Sequence, residues 1–296
     1  MANTTTAIEV RRDNLRAIVR GAYDIQKLRI QMGNRIAGNF KVKLGQAPGT
    51  SEDDMDEVGK KLLKQIREAY AKITEGCAKL PSVRRFKGSG VISSYTELVL
   101  VAAYIDLETS EAEHFKRIAK VIETHKLWDA FLKDVKGCGA AMAGVILSEI
   151  DISKAKYASS LWKYAGLDVA DDGAGRSRRQ EHLVEYDYKA KDGTIKKRKG
   201  ITFNPFLKTK LVGVLGGCLL KANGAYSTIY RDYKNRLENH TRYSTTTKAH
   251  RHNMAIRYMI KMFLVDLYVE WRALEYLPVH APYSEAKLGY KHGSAT

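Results

Sequence analysis

Along the first part of the chain, apolar residues recur at steps of three and four: Leu15, Ile18, Ala22, Ile25, Leu28, Met32 and Ile36. That spacing places them on one face of a long helix. Gly45 to Gly49, with Pro48, interrupts it. Ser51 then begins a second helix, acidic in its first turn at Glu52, Asp53 and Asp54, where the positive end of the helix dipole favours carboxylates. Its stripe runs Met55, Val58, Leu62, Ile66, Tyr70, Ile73, Cys77 and Leu80. Two such stripes joined by a short turn predict an antiparallel coiled-coil hairpin, a helical arm over residues 1–90. Pro81 to Gly90 is a basic loop with Arg84, Arg85 and Lys87. Ser94 with Glu97, and Ser110 with Glu113, each fit a capping box opening a further helix.

A different pattern follows. Val135-Lys136-Gly137-Cys138-Gly139 lies between two amphipathic segments and predicts a helix, a tight glycine hairpin and a second helix from Ala140 to Glu149. Glycine suits backbone angles that a Cβ opposes. The N–H groups at the start of the second helix then face outward, where phosphate oxygens can accept them. Lys136, Gly137 and Gly139 are therefore candidate contacts to a nucleic-acid backbone, although Gly-x-Gly also closes ordinary helix–helix turns. Ser159 to Leu167 reads as a short helix ended by Gly166, followed by a loop from Asp168 to Glu181. His182 to Lys191, the turn Asp192-Gly193, and Thr194 to Thr202 predict a β-hairpin over 182–202. Asn204 caps a helix with Pro205 at its first position, and helices are expected over Tyr226 to Asn239 and Lys248 to Tyr276. The fold class is mainly α: a long coiled-coil arm, then a helix-hairpin-helix-type domain over 91–277 with one inserted β-hairpin, then a flexible tail over 278–296.

Charge gives this scaffold a partner. Of 296 residues, 44% are apolar, enough for a real core, yet 50 basic residues oppose 33 acidic ones for a formal charge of +17. Such an excess points to nucleic acid or another polyanionic surface. Membrane insertion is not expected, because the most apolar window, Leu211 to Leu220, contains glycines and falls short of the roughly 20 residues a spanning helix needs. The N-terminus lacks the apolar core of a secretory signal. Cys77, Cys138 and Cys218 stand alone, which suits a reducing cytoplasm and offers neither a disulfide framework nor a zinc site.

The basic residues cluster. Between Arg176 and Lys210 lie Arg176, Arg178, Arg179, Lys189, Lys191, Lys196, Lys197, Arg198, Lys199, Lys208 and Lys210, opposed by Glu181, Glu185, Asp187 and Asp192. A two-stranded ribbon of this kind can lie along a duplex groove, while lysines also guard exposed strand edges. Tyr186 and Tyr188 fall on one face of it, where they can stack on bases. The last long helix pairs a buried face (Ile256, Ile260, Phe263, Leu264, Leu267, Trp271) with a basic back of Arg251, Arg257 and Lys261. Trp128, Trp162 and Trp271 all sit in amphipathic patterns and are expected in the core. His250, His252 and His240 lack a cysteine or carboxylate at ligand spacing, so they read as phosphate or solvent contacts before metal ligands. Asp171-Asp172 can hold one ion or remain solvated.

The segment VKGCGAAMAGVILSEIDISKAKYASSLWKYAGL resembles the C-terminal transposase domain of the IS110/IS116/IS902 family, with its Gly-x-Gly hairpin, acidic-Ile turn and Tyr-Ala-Gly-Leu ending. The run NLRAIVRGAYDIQKLRIQMGNRI is similar to that family's linking coiled coil, so the resemblance extends loosely from Asn14 to Tyr276. It implies DNA transposition and recombination by a mobile element, in the cytoplasm of a bacterium or encoded by a phage. The implied partners are duplex or branched DNA, RNA as a further candidate, and other copies of the chain through the arm. Family members begin with a RuvC-like nuclease domain whose four carboxylates bind divalent metal. Here the helical arm starts almost at Met1, so that domain is expected to be missing. No cofactor is then expected, with Mg²⁺ entering only if a nuclease partner supplies the carboxylates.

The resemblance also implies a nucleophilic serine in the loop after Tyr-Ala-Gly-Leu. Ser177 is the only hydroxyl between Leu167 and Thr194 apart from Tyr186 and Tyr188, and Arg176, Arg178 and Arg179 flank it. Guanidinium groups there can stabilise a phosphoryl transition state, or Ser177 can simply help hold a phosphate. No adjacent base is evident, though His182 is near in sequence. Three functions remain: a DNA-binding protein of transposase descent, a serine recombinase core working with a separate nuclease subunit or guide RNA, and a self-assembling structural protein. A DNA glycosylase fits less well, because Asp151 follows the hairpin too early.

Overall fold

The computed structural model describes residues 11–47 and 56–281. The chain is mainly helical, and its described residues divide into two compact units, one over Ala17–Ile118 and the other formed by residues 11–16 with 119–281.

The unit over Ala17–Ile118 is built from α1 (Arg12–Lys43), α2 (Glu57–Ile73) and α3 (Tyr95–Ile122). Ile36 and Phe40 of α1, Leu62 and Ile66 of α2, and Leu98, Val101 and Tyr104 of α3 share one core. Burying each of the larger side chains is worth about 1.5–3 kcal/mol. The division expected at residue 90 falls inside this unit, because α3 supplies a third face to the two helices. The expected start of the second helix at Ser51 lies outside the described residues. In place of that start, Asp56 caps α2 by accepting the Gly59 N–H at 2.7 Å, and its carboxylate also pairs with the buried Lys41. The second stripe stops early: α2 ends at Ile73, Gly76 turns with a positive φ, and Cys77 is exposed. Ser94 and Glu97 do form a capping box on α3, each side chain accepting the other's backbone N–H at 3.2 Å. Ser110 and Glu113 do not open a helix. They lie within α3, whose sequence contains no glycine or proline to break it.

The second unit surrounds α10 (Lys248–Leu274), preceded by α4 (Lys126–Ala130), α5 (Ala140–Glu149), α6 (Ala158–Tyr164), α7 (Pro205–Lys208), α8 (Gly216–Lys221) and α9 (Ala225–Asn239). Met259, Phe263 and Leu267 of α10 are fully buried, and α5 is buried along nearly its whole length, as its apolar composition requires. Between α7 and α8 the chain makes a π-helical stretch, Thr209–Leu215. Leu207, Leu211, Leu215 and Leu219 recur every four residues through this run and all are buried. A step of four drifts around a helix of 3.6 residues per turn, and the wider π turn offsets that drift. Trp271 is buried and Trp162 half-buried, with the Trp162 indole N–H donating to the Lys261 carbonyl at 3.1 Å, while Trp128 is also half-buried. Arg251, expected on the basic back of α10, is instead buried and donates to the carbonyls of Tyr243, Ser244 and Thr246, clamping the turn before the helix.

Asn204 caps α7, accepting from the Leu207 N–H at 3.1 Å, and also donates to the buried carboxylate of Glu149 at 2.6 Å. The strands are β1 (Val184–Lys189) and β2 (Ile195–Gly200), paired antiparallel with Tyr186 opposite Arg198. Asp192-Gly193 lies in their turn, and Gly193 has the positive φ expected of it. His182, expected at the start of the first strand, belongs to a 3₁₀ turn over Gln180–His182. Its ring is held back against the loop, which withdraws the residue from the ladder. No helix among the described residues is long and apolar enough to cross a membrane.

Candidate functional site around Ser177

The loop between α6 and β1 is folded by its own hydrogen bonds. α6 ends in a Schellman arrangement: the Leu167 N–H donates to Trp162 and the Gly166 N–H to Lys163. Gly166 has φ +64, and a Cβ there would lie 2.6 Å from the Phe203 ring. Beyond it, Asp168 and Arg176 close a small hairpin through the Arg176 N–H to Asp168 carbonyl bond and the Val169–Gly175 bridge. Gly173, with φ +76, makes its tip. Asp172 Oδ1 accepts the Ala174 N–H at 2.8 Å, a local turn that fixes the carboxylate.

These turns bring three residues at five-residue intervals into one chain of hydrogen bonds. The Ser177 hydroxyl lies 2.9 Å from His182 Nδ1, and the Ser177 backbone N–H donates to the same nitrogen at 2.9 Å. Nδ1 must then be the unprotonated nitrogen, so Nε2 carries the proton and donates to Asp172 Oδ2 at 3.0 Å. The one lone pair of Nδ1 is thus shared by the Ser177 backbone N–H and the Ser177 hydroxyl, on a buried imidazole oriented from behind by a carboxylate. Those are the relations required of a nucleophile, its base and the group that orients the base. His182 holds Asp172 below the usual carboxylate range through this bond, aided by the Ala174 N–H.

Cations gather on the same loop. Arg176 pairs with Asp168 at 3.0 Å, and Lys208 donates to the Arg176 carbonyl. Arg257 donates to the carbonyls of Gly166 and Asp168 at 3.2 and 3.3 Å, with its guanidinium flat against Gly175. Lys261 lies one turn further along α10. Burial pushes Lys208 down to about 8, helped by the charges of Arg257 and Arg178. Burial also lowers Arg257, and lowers Lys261 with help from Arg257.

Of the residues expected in a site, Ser177, Arg176 and Lys208 meet here, while Arg178 and Arg179 are exposed beside them. Lys210 lies over the Phe206 ring, and burial lowers it as well. Lys189, Lys191, Lys196, Lys197, Arg198 and Lys199 are exposed on the ribbon and its turn. At the glycine hairpin the two glycines differ. Gly137 has φ +97 and faces the backbone of α8, whereas Gly139 is exposed and precedes α5 without a side-chain cap. Lys136 is exposed, with its stem against Gly224.

Sequence reasoning noted His182 only as a neighbour and assigned Asp171-Asp172 to an ion or to solvent. The structure commits Asp172 to His182 instead. It missed Asp168, Arg257 and Lys261 as parts of this site, since the last two read as the back of a core helix. No group of three or more His, Cys, Asp or Glu among the described residues is placed to hold a metal. His252 is taken up by Tyr230 at 2.6 Å, and His240 by the Arg242 N–H at 3.1 Å.

Residues 129–188 match the family model described as Transposase IS116/IS110/IS902 family, so the chain carries that family's transposase domain over this segment. The match runs through the glycine hairpin, α5, α6 and the Ser177 loop into β1. No curated protein and no solved structure matches the chain.

Proposed function

We propose that this protein binds DNA and exchanges its strands through a covalent bond to Ser177. The observation that carries the proposal is the Ser177–His182–Asp172 chain of hydrogen bonds, with its arginines and lysines. In the reaction, Ser177 Oγ attacks a DNA phosphorus while its proton passes to His182 Nδ1. A P–O bond of the strand breaks, and the leaving oxygen takes a proton from water. The products are a phosphoserine diester and a free DNA hydroxyl, which reverse onto a second strand. The surrounding cations favour the extra charge of the transition state, commonly the largest contribution to such chemistry. The exposed ribbon and the glycine hairpin supply affinity without reading sequence, giving a steep fall of binding with salt.

Incubating the protein with a pool of nicked linear and branched duplexes, then denaturing it, tests the chemistry. The wild type should retain labelled DNA covalently, and Ser177→Ala should lose the adduct while still binding DNA. Salt-sensitive binding with no adduct from the wild type would leave a DNA-binding protein whose serine only clasps the loop. Adducts that survive in Ser177→Ala would refute the assignment.

A further inference from the structure

Lys208, Arg257 and Lys261 stand on two different helices, yet they converge on the loop that carries Ser177. Lys208 reaches the carbonyl of Arg176, the residue immediately before the serine. Arg257 lies under Gly175, so close that a Cβ there would be 2.9 Å from its central carbon. Lys261 follows Arg257 by one helical turn, on the same face of α10. Aromatic rings hold both ammonium groups in place, Lys208 lying 4.7 Å from the Phe203 ring centre and Lys261 5.2 Å from that of Trp162.

The charges in this cluster do not balance. Asp168 is the carboxylate whose field reaches Lys208, Arg257 and Lys261. Asp168 is already spent on Arg176, which places two nitrogens on its Oδ2. Its Oδ1 is buried without a hydrogen-bond partner. Three half-buried cations therefore share a surface with one committed counter-charge. Like charges held together and partly out of water are costly unless an anion completes the arrangement. Their depressed proton affinities are the sign of that cost in the free protein.

We propose that Lys208, Arg257 and Lys261 form a receiving site for one DNA backbone phosphate, set against the Ser177 loop. A guanidinium and two ammonium groups suit the two non-bridging oxygens of a phosphodiester, which offers no hydrogen to donate. The site deepens the serine reading, since the phosphate held here is the one Ser177 attacks. The cations do not depend on that chemistry for binding.

Inorganic phosphate is the probe, followed by backbone amide NMR of the full chain. Saturable shifts should appear at Gly175, Ser177, Arg257 and Lys261. Lys208→Gln and Lys261→Gln should each weaken phosphate binding about tenfold, with melting curves showing that both variants remain folded. Ser177→Ala should bind phosphate as the wild type does, although it forms no DNA adduct. Shifts confined to the ribbon, or undiminished binding in both lysine variants, would overturn the site and leave the serine assignment to the adduct assay. Adduct formation in Ser177→Ala would overturn the serine assignment while leaving a phosphate site demonstrated by these shifts.

Discussion

Lys208 and Arg176 are joined by an ammonium-to-carbonyl hydrogen bond that sets a lysine charge one residue from Ser177. The site holds Lys208 at about 8, well below an ordinary lysine, chiefly through burial. Between that value and the ordinary 10.5 the unfolded chain binds the extra proton, so the lysine's contribution to stability rises with pH over this window. Below it the cost of the buried charge is fully present. Lys208 is partly exposed, so solvent screening brings the effect to about 1 kcal/mol. Thermal or urea unfolding at pH 7 and pH 10.5 should show the wild type gaining that much on Lys208→Met. Parallel pH profiles for the two proteins would contradict it.

His182 contacts both the nucleophile and the carboxylate, so the two sides of its ring can be tested separately. His182→Gln should slow adduct formation by roughly 10²-fold or more, the usual contribution of a general base. Asp172→Asn keeps the shape but weakens the orientation of the ring, and should slow adduct formation by about tenfold. DNA affinity, measured by anisotropy at fixed salt, should change less than twofold in either. A matching loss of affinity would mean that these residues hold the loop for binding alone.

The two glycines of the hairpin should separate structure from recognition. A Cβ on Gly137 would lie 2.7 Å from the Cys218 carbonyl oxygen, at a φ that side chains resist. Gly137→Ala should cost about 2–4 kcal/mol in denaturant unfolding. Gly139 has open space around it and an ordinary φ of −80°, so Gly139→Ala should cost less than about 1 kcal/mol. A fall in DNA affinity for Gly139→Ala, with unchanged melting, is the result expected if this hairpin approaches the DNA backbone.

On the ribbon, the register sorts charge by face. Tyr186 and Tyr188 lie opposite Arg198 and Lys196, whereas Glu185 and Asp187 lie opposite Lys199 and Lys197. Directly opposed residues share a face, so one face is aromatic and cationic while the other carries both strand carboxylates. Lys197 is paired with Glu185 on its own face at 3.0 Å, and Lys196 with Asp192 of the turn at 3.2 Å. Substituting Lys196 and Arg198 with glutamine should lower DNA affinity several-fold and reduce the salt slope by about one to two. The same change at Lys197 and Lys199 should do less. Equal losses would show that the ribbon acts only through its total charge.

Much of this architecture was legible because local physics specified it. The capping box of Ser94 and Glu97, the Asn204-Pro205 helix start, the Gly166 stop and the Asp192-Gly193 turn are each governed by neighbours within a few positions. Ser110 and Glu113 matched a capping pattern as well, but the helix around them had no reason to stop, so the pattern remained unused. Likewise α2 ended before Cys77, because periodicity marks a face and does not fix where packing ceases.

The sequence by itself determined the helical character, the single β-ribbon, the excess of positive charge and the position of Ser177 among arginines. Only the tertiary structure decided what that serine touches. Asp172, Ser177 and His182 lie on an irregular loop, where side-chain direction follows from particular turns and no repeating period reveals it. Arg257 meets the same loop at the Asp168 carbonyl from 89 residues away in the chain, and Lys261 lies one turn further along α10. Burial of the opposite face of α10 leaves these two cations within the field of Asp168, which only the packing of that helix could reveal.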